Sequence, residues 1–125
     1  MGLPELEPAA RGNWGSVVWA VEESGKAAAL EFFEKLSIAD VAKVRALFNR
    51  LAATGWIPNT EKFKKLGNVK DCAIYEFKSF QIRFLGAFAP GSRFVVALGI
   101  KKKKDRHMKE HMERAARILR ENVND

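Results

Sequence analysis

From Ile74 to Lys104 the chain reads IYEFKSFQIRFLGAFAPGSRFVVALGIKKKK, with apolar and polar residues largely alternating. A period of two predicts consecutive β-strands, and Pro90-Gly91 is a strong turn signal. A three-residue loop Ala89-Pro90-Gly91 would set Phe88 opposite Ser92, Gly86 opposite Phe94, Phe84 opposite Val96 and Ile82 opposite Leu98. A turn at Ser79-Phe80 would pair Lys78 with Gln81, bringing Phe77 beside Ile82 and Tyr75 beside Phe84. In that register the bulky apolar side chains other than Leu85 and Val95 share one face. Gln81, Arg83, Ala87, Ala97, Gly99 and Lys101 share the other, with Glu76 opposite Arg83 and Lys78 in the next row. The pattern therefore predicts cations gathered over a floor of alanine and glycine, a groove with room for a ligand. A solvated sheet face is the plainer reading of the same alternation.

The remaining pattern predicts three helices and one more strand. Trp14–Val21 reads as a strand with Val18 and Ala20 on one side and Val17, Trp19 and Val21 on the other. A short helix over 27–36 would bury Leu30, Phe33 and Leu36. Ser37 with Asp40 has the spacing of an N-cap, and the stripe Val41, Val44, Leu47, Phe48, Leu51 predicts a helix over 38–54 closed by Gly55. Residues 57–73 read as a polar connection. A last helix over 107–122, capped by Asp105, would bury Met108, Met112, Ala115 and Leu119. Residues 1–13 read as a flexible lead-in, leaving 14–125 as a single α+β domain. Its layout is an antiparallel-rich twisted sheet, built from an N-terminal strand plus a three-stranded meander. A helical hairpin packs on the sheet, and a C-terminal helix follows.

Composition adds direction to this picture. A chain of 125 residues with 47% hydrophobic content suffices for one folded core. Its net charge of +7 is unevenly spread: residues 1–61 sum to −2 and residues 62–125 to +9. A basic half containing the meander points to a polyanionic partner, most simply nucleic acid. The lone Cys72 excludes an internal disulfide, and neither a secretory leader nor a membrane-length apolar run is present, so a cytoplasmic protein without a membrane partner is expected. His107 and His111 stand one helical turn apart, but no third ligand accompanies them, and neither metal nor cofactor is expected.

Several stretches together resemble the RelE/ParE toxin superfamily, in particular its HigB-like, phage-derived branch. They are the helix end Ala52-Ala53-Thr54-Gly55, the step Lys65-Leu66, the strands Ile74-Tyr75-Glu76-Phe77-Lys78 and Ile82-Arg83-Phe84, and Ile100-Lys101-Lys102-Lys103 with the helix Met112-Glu113-Arg114-Ala115. The resemblance implies a RelE-like fold and the toxin of a type II toxin–antitoxin pair. Such a toxin is an endoribonuclease that cuts messenger RNA on the ribosome, through attack by the RNA 2′-hydroxyl and without a metal. It also implies a small neutralising antitoxin, of helix-turn-helix type. On this resemblance Arg83 and Lys78 would stabilise the phosphate, and Lys102 and Lys103 would take the place of the family's paired lysines. Lys101, Gln81 and Lys65 join them as candidate RNA-binding residues, and Glu76, which faces Arg83 in the predicted register, would orient it.

The chain departs from the family pattern where relatives often carry a histidine or tyrosine. Here the strand end is Ala97-Leu98-Gly99-Ile100, so His107 becomes the candidate for proton transfer. That departure favours a ParE-like inhibitor of DNA gyrase, or a non-catalytic RNA- or ribosome-binding module, as the alternatives. Cys72 and the three tryptophans, Trp14, Trp19 and Trp56, are assigned to packing or a partner interface.

Overall fold

A computed structural model describes residues 6–102 and 108–122. Among them nine elements form in the order β1 (Ala10–Arg11), β2 (Ser16–Trp19), α1 (Ala28–Glu34), α2 (Ile38–Thr54), β3 (Phe63–Val69), β4 (Cys72–Ser79), β5 (Ile82–Ala89), β6 (Arg93–Lys101) and α3 (Met108–Arg120). The strands make one sheet in the order β1-β2-β6-β5-β4-β3. Only β2 and β6 run parallel; every other neighbouring pair is antiparallel. The fold is α+β and compatible with a RelE-like architecture.

Local chemistry sets the helix boundaries. The Ser37 hydroxyl accepts from the Asp40 N–H at 3.1 Å, satisfying a first-turn donor of α2. Gly55 closes α2 at φ +81 with its N–H donating to the Leu51 carbonyl, a conformation that glycine adopts without a Cβ penalty. Both ends of α2 fall where the spacing predicts. Two stretches differ from expectation. Residues 63–69, read as polar connection, form strand β3 against β4, because Phe63 supplies a fully buried anchor beside Phe77. Within the expected lead-in, Ala10–Arg11 pair with β2, and Ala10 is buried.

The sheet has two apolar faces, and each is covered. On one, α1 and α2 pack over Val17, Trp19, Phe63, Phe77, Phe84, Phe94 and Val96, with Phe33, Val44, Leu47, Phe48 and Leu51 from the helices. This layer is aromatic; Phe48 lies edge-on to Phe77 with ring centroids 4.9 Å apart, in the geometry the ring quadrupoles favour. On the other face, α3 lays Ala115, Ala116, Ile118 and Leu119 over Ile74, Leu85, Ala87, Val95, Ala97 and Leu98.

The second core overturns the expected groove. Ala87 and Ala97 do line a depression, but α3 fills it. Small side chains on the sheet meet Ala115 and Ala116 on the helix, so helix and sheet approach closely and exclude solvent. The far end of α3 is tied down as well. Asn122 accepts from the Val21 N–H at 3.0 Å and donates to the Val21 carbonyl at 3.2 Å.

The hairpin registers also differ. Phe88 opposes Phe94 instead of Ser92, around a Pro90-Gly91-Ser92 loop with positive φ at Gly91 and Ser92. Lys78 opposes Arg83, Phe77 opposes Phe84, and Glu76 opposes Leu85, around a Phe80-Gln81 turn. Both are shifts of two positions, which preserve the facing of each side chain. A β-bulge does not preserve it. Gly86 pairs with Val96 while Leu85 pairs with Leu98, so Ala97 is an extra residue on β6. A Cβ on Gly86 would stand 2.2 Å from the Val95 carbonyl oxygen, so only glycine lets the strands approach this closely at the bulge. Past that point the facing of β6 is inverted relative to expectation.

Candidate functional site

At the end of the sheet reached by the β4–β5 turn, three strands bring cations together on the α3 side. Lys64 of β3 opposes Glu76 of β4, and Lys78 of β4 opposes Arg83 of β5. Strand alternation puts all four side chains on the face shared with Ile74 and Leu85. Glu76 is the most deeply placed, 1% exposed. Its Oε2 lies 3.9 Å from Arg83 Nε, with the two side chains 2% and 13% exposed. Neither of those two atoms has a hydrogen-bond partner. Arg83 Nη1 instead donates to the carbonyls of Phe80 and Ile82, the latter at 3.1 Å. The guanidinium is thus held over the turn by backbone oxygens on one side and a buried carboxylate on the other. These contacts fix it in position.

Of the residues expected to converge, Arg83 and Lys78 are brought together, and Glu76 lies beside Arg83. Lys102 is close through its backbone, its N–H donating to the Gln81 carbonyl at 2.6 Å. Lys101 is not on this face. It opposes Ile82, whose side chain belongs to the α1–α2 core, because the bulge at Ala97 has inverted the end of β6. Gly99 turns the same way; a Cβ there would meet the Phe32 ring of α1 at 2.4 Å. Lys65 opposes Tyr75 and faces the α2 side. The convergence of residues 78, 83 and 101 over an open floor is therefore corrected to a smaller cluster of Lys64, Lys78 and Arg83 around Glu76. Lys103 and His107 lie outside the described residues.

Lys64 is not among the residues expected at the site. The alternation Phe63-Lys64-Lys65 holds the signal, since a buried Phe63 turns Lys64 to the Arg83 face. Burial pushes the Cys72 thiol up from its ordinary range, against a smaller lowering by the Arg120 charge. Among the described residues no three His, Cys, Asp or Glu side chains group as a metal site. None of the described helices is long and apolar enough to cross a membrane.

Residues 31–120, from α1 to the end of α3, match the phage-derived Gp49-like protein family. The chain belongs to this family. No curated protein matches it. The Gp49-like family is toxin-like and related to RelE and HigB, which accords with a component of a toxin–antitoxin pair. The matched span contains most of both cores, though not Ala10, Val17, Trp19, Ala20 or Ala29, and every member of the Lys64–Glu76–Lys78–Arg83 cluster. It leaves out β1 and β2, the strands that extend the sheet past β6.

Proposed function

We propose that this Gp49-like protein is the toxin of a type II toxin–antitoxin pair, of HigB-like kind, and an endoribonuclease acting on messenger RNA at the ribosome. The observation that carries the reading is the pairing of Arg83 with Lys78 across β4 and β5, with Arg83 anchored against the buried Glu76. Cleavage through the 2′-hydroxyl builds negative charge on a pentacoordinate phosphate. A guanidinium offers a planar fork to two of its oxygens and a neighbouring ammonium adds a point charge, so the chain's own cations supply the stabilisation, without a metal. Glu76 positions Arg83. His107 is the proton carrier in this scheme. Lys102 and Gln81 follow the RNA from the sheet end, Lys103 adds a further cation to it, and Lys65 and Lys101 engage it on the opposite face. The partner is a small, helix-turn-helix antitoxin, acidic where it covers Arg83 and Lys78.

The test is expression of the protein beside translating ribosomes, with mapping of messenger RNA 5′ ends. The native protein should produce discrete cuts, and Lys78→Gln and Arg83→Lys should each reduce them by about 100-fold or more. Intact transcripts with failure of DNA supercoiling would replace this reading by gyrase inhibition. That alternative has its own support in Ala97-Leu98-Gly99-Ile100, which offers no titratable group at the end of β6. Intact transcripts with normal supercoiling would leave a binding module.

A further inference from the structure

The β4–β5 turn carries a side chain that neither core uses. Phe80 is 77% exposed. Its backbone sits at φ +55, in the left-handed region that bulky residues avoid and that asparagine or glycine ordinarily occupies in such turns. A phenyl ring this exposed, on a disfavoured backbone, adds no apolar burial to either core. Its surroundings are cationic. Lys43 Nζ, from α2, lies 4.4 Å from the ring centroid. The Phe80 carbonyl accepts from Arg83 Nη1, and Arg83 opposes Lys78. The ring therefore stands at a corner of the sheet, with Arg83 and Lys78 on one side and Lys43 on the other.

We infer that Phe80 is a stacking platform for one nucleobase of a single-stranded RNA whose adjoining phosphate engages Arg83 and Lys78. The inference rests on the RNA reading above and adds to it a base-binding position. A nucleotide presents a flat π surface and an anion within one residue, which is the pairing of surfaces this corner offers. An acidic peptide would use the cations and leave the ring in water. Lys43 holds one face of the ring by cation–π attraction, and the exposed remainder receives the base.

The test compares Phe80→Asn, Phe80→Trp and Lys78→Gln in binding a short single-stranded RNA containing 2-aminopurine. Asparagine suits the left-handed turn, so Phe80→Asn should fold with an unchanged or higher Tm. It should bind RNA about 5- to 100-fold more weakly, the equivalent of ~1–3 kcal/mol for one lost stack. The salt dependence of its binding should stay that of the native protein, whereas Lys78→Gln should lower the slope by about one. Phe80→Trp should keep native affinity and native quenching of 2-aminopurine. Equal affinity and quenching in Phe80→Asn would overturn the platform while leaving the nuclease reading intact. A change in self-association with RNA affinity unaltered would assign the ring to contact between copies, and would equally overturn it. A native protein that neither binds nor cuts RNA would overturn both.

Discussion

The Glu76–Arg83 pair gives a prediction whose size follows from its geometry. The charges face each other at 3.9 Å, with the side chains 2% and 13% exposed. At an effective dielectric of about 20, unit charges at that separation attract by ~4 kcal/mol, and desolvation of both groups offsets much of this. Removing one partner is another matter, because the survivor keeps its desolvation without its compensation. For fully buried pairs that costs ~3–5 kcal/mol. Arg83 retains slight exposure and its two carbonyl acceptors, which places Glu76→Gln lower, at ~2–3 kcal/mol, or about 10 °C in Tm for a domain of this size. Arg83→Gln should cost more, since it strands a carboxylate that is 1% exposed. Arg83→Ala is for the same reason a folding variant as well as a probe of the proposed site. The double variant Glu76→Leu with Arg83→Leu should recover part of the loss, as both penalties vanish together. Urea unfolding followed by tryptophan fluorescence yields the cycle, with a coupling energy of ~1–3 kcal/mol. Single variants within about 0.5 kcal/mol of the native protein, and additive in the double, would refute the claim that this pair is desolvated.

Two further outcomes follow from the second core. Leu119→Ala deletes a fully buried side chain of α3 and should destabilise by ~3 kcal/mol in the same unfolding assay, whereas Arg117→Ala on the exposed side of the helix should stay within ~0.5 kcal/mol. Because burial raises the Cys72 thiol, iodoacetamide at pH 8 should alkylate the folded protein more slowly than the urea-unfolded chain. The sign for stability is also set. The unfolded thiol ionises first as pH rises, so the contribution of Cys72 is complete below the unfolded value and declines as pH climbs toward the raised folded one. In Cys72→Ala that decline should be absent from the alkaline limb of a Tm–pH curve.

Local rules on the chain determined more of the domain than of the site. The cap chemistry of Ser37 and Gly55 and the stripe from Val41 to Leu51 defined α2 without help from the rest of the fold. Period-two alternation determined that Phe77, Phe84 and Phe94 share a face and that Glu76, Lys78 and Arg83 share the other, because even shifts of register leave facing unchanged. It could not determine an odd shift. The bulge at Ala97 arises where Gly86 lets β6 approach β5, a contact between strands, and it carried Gly99 and Lys101 to the opposite side. Lys64 became part of the cluster only when β3 paired with β4. The alanines of β5 and β6 were legible as a depression, but whether a depression holds a ligand or a helix depends on which distant segment returns to cover it. Here the segment is α3, since its own alanines and leucine have no other apolar surface to bury against.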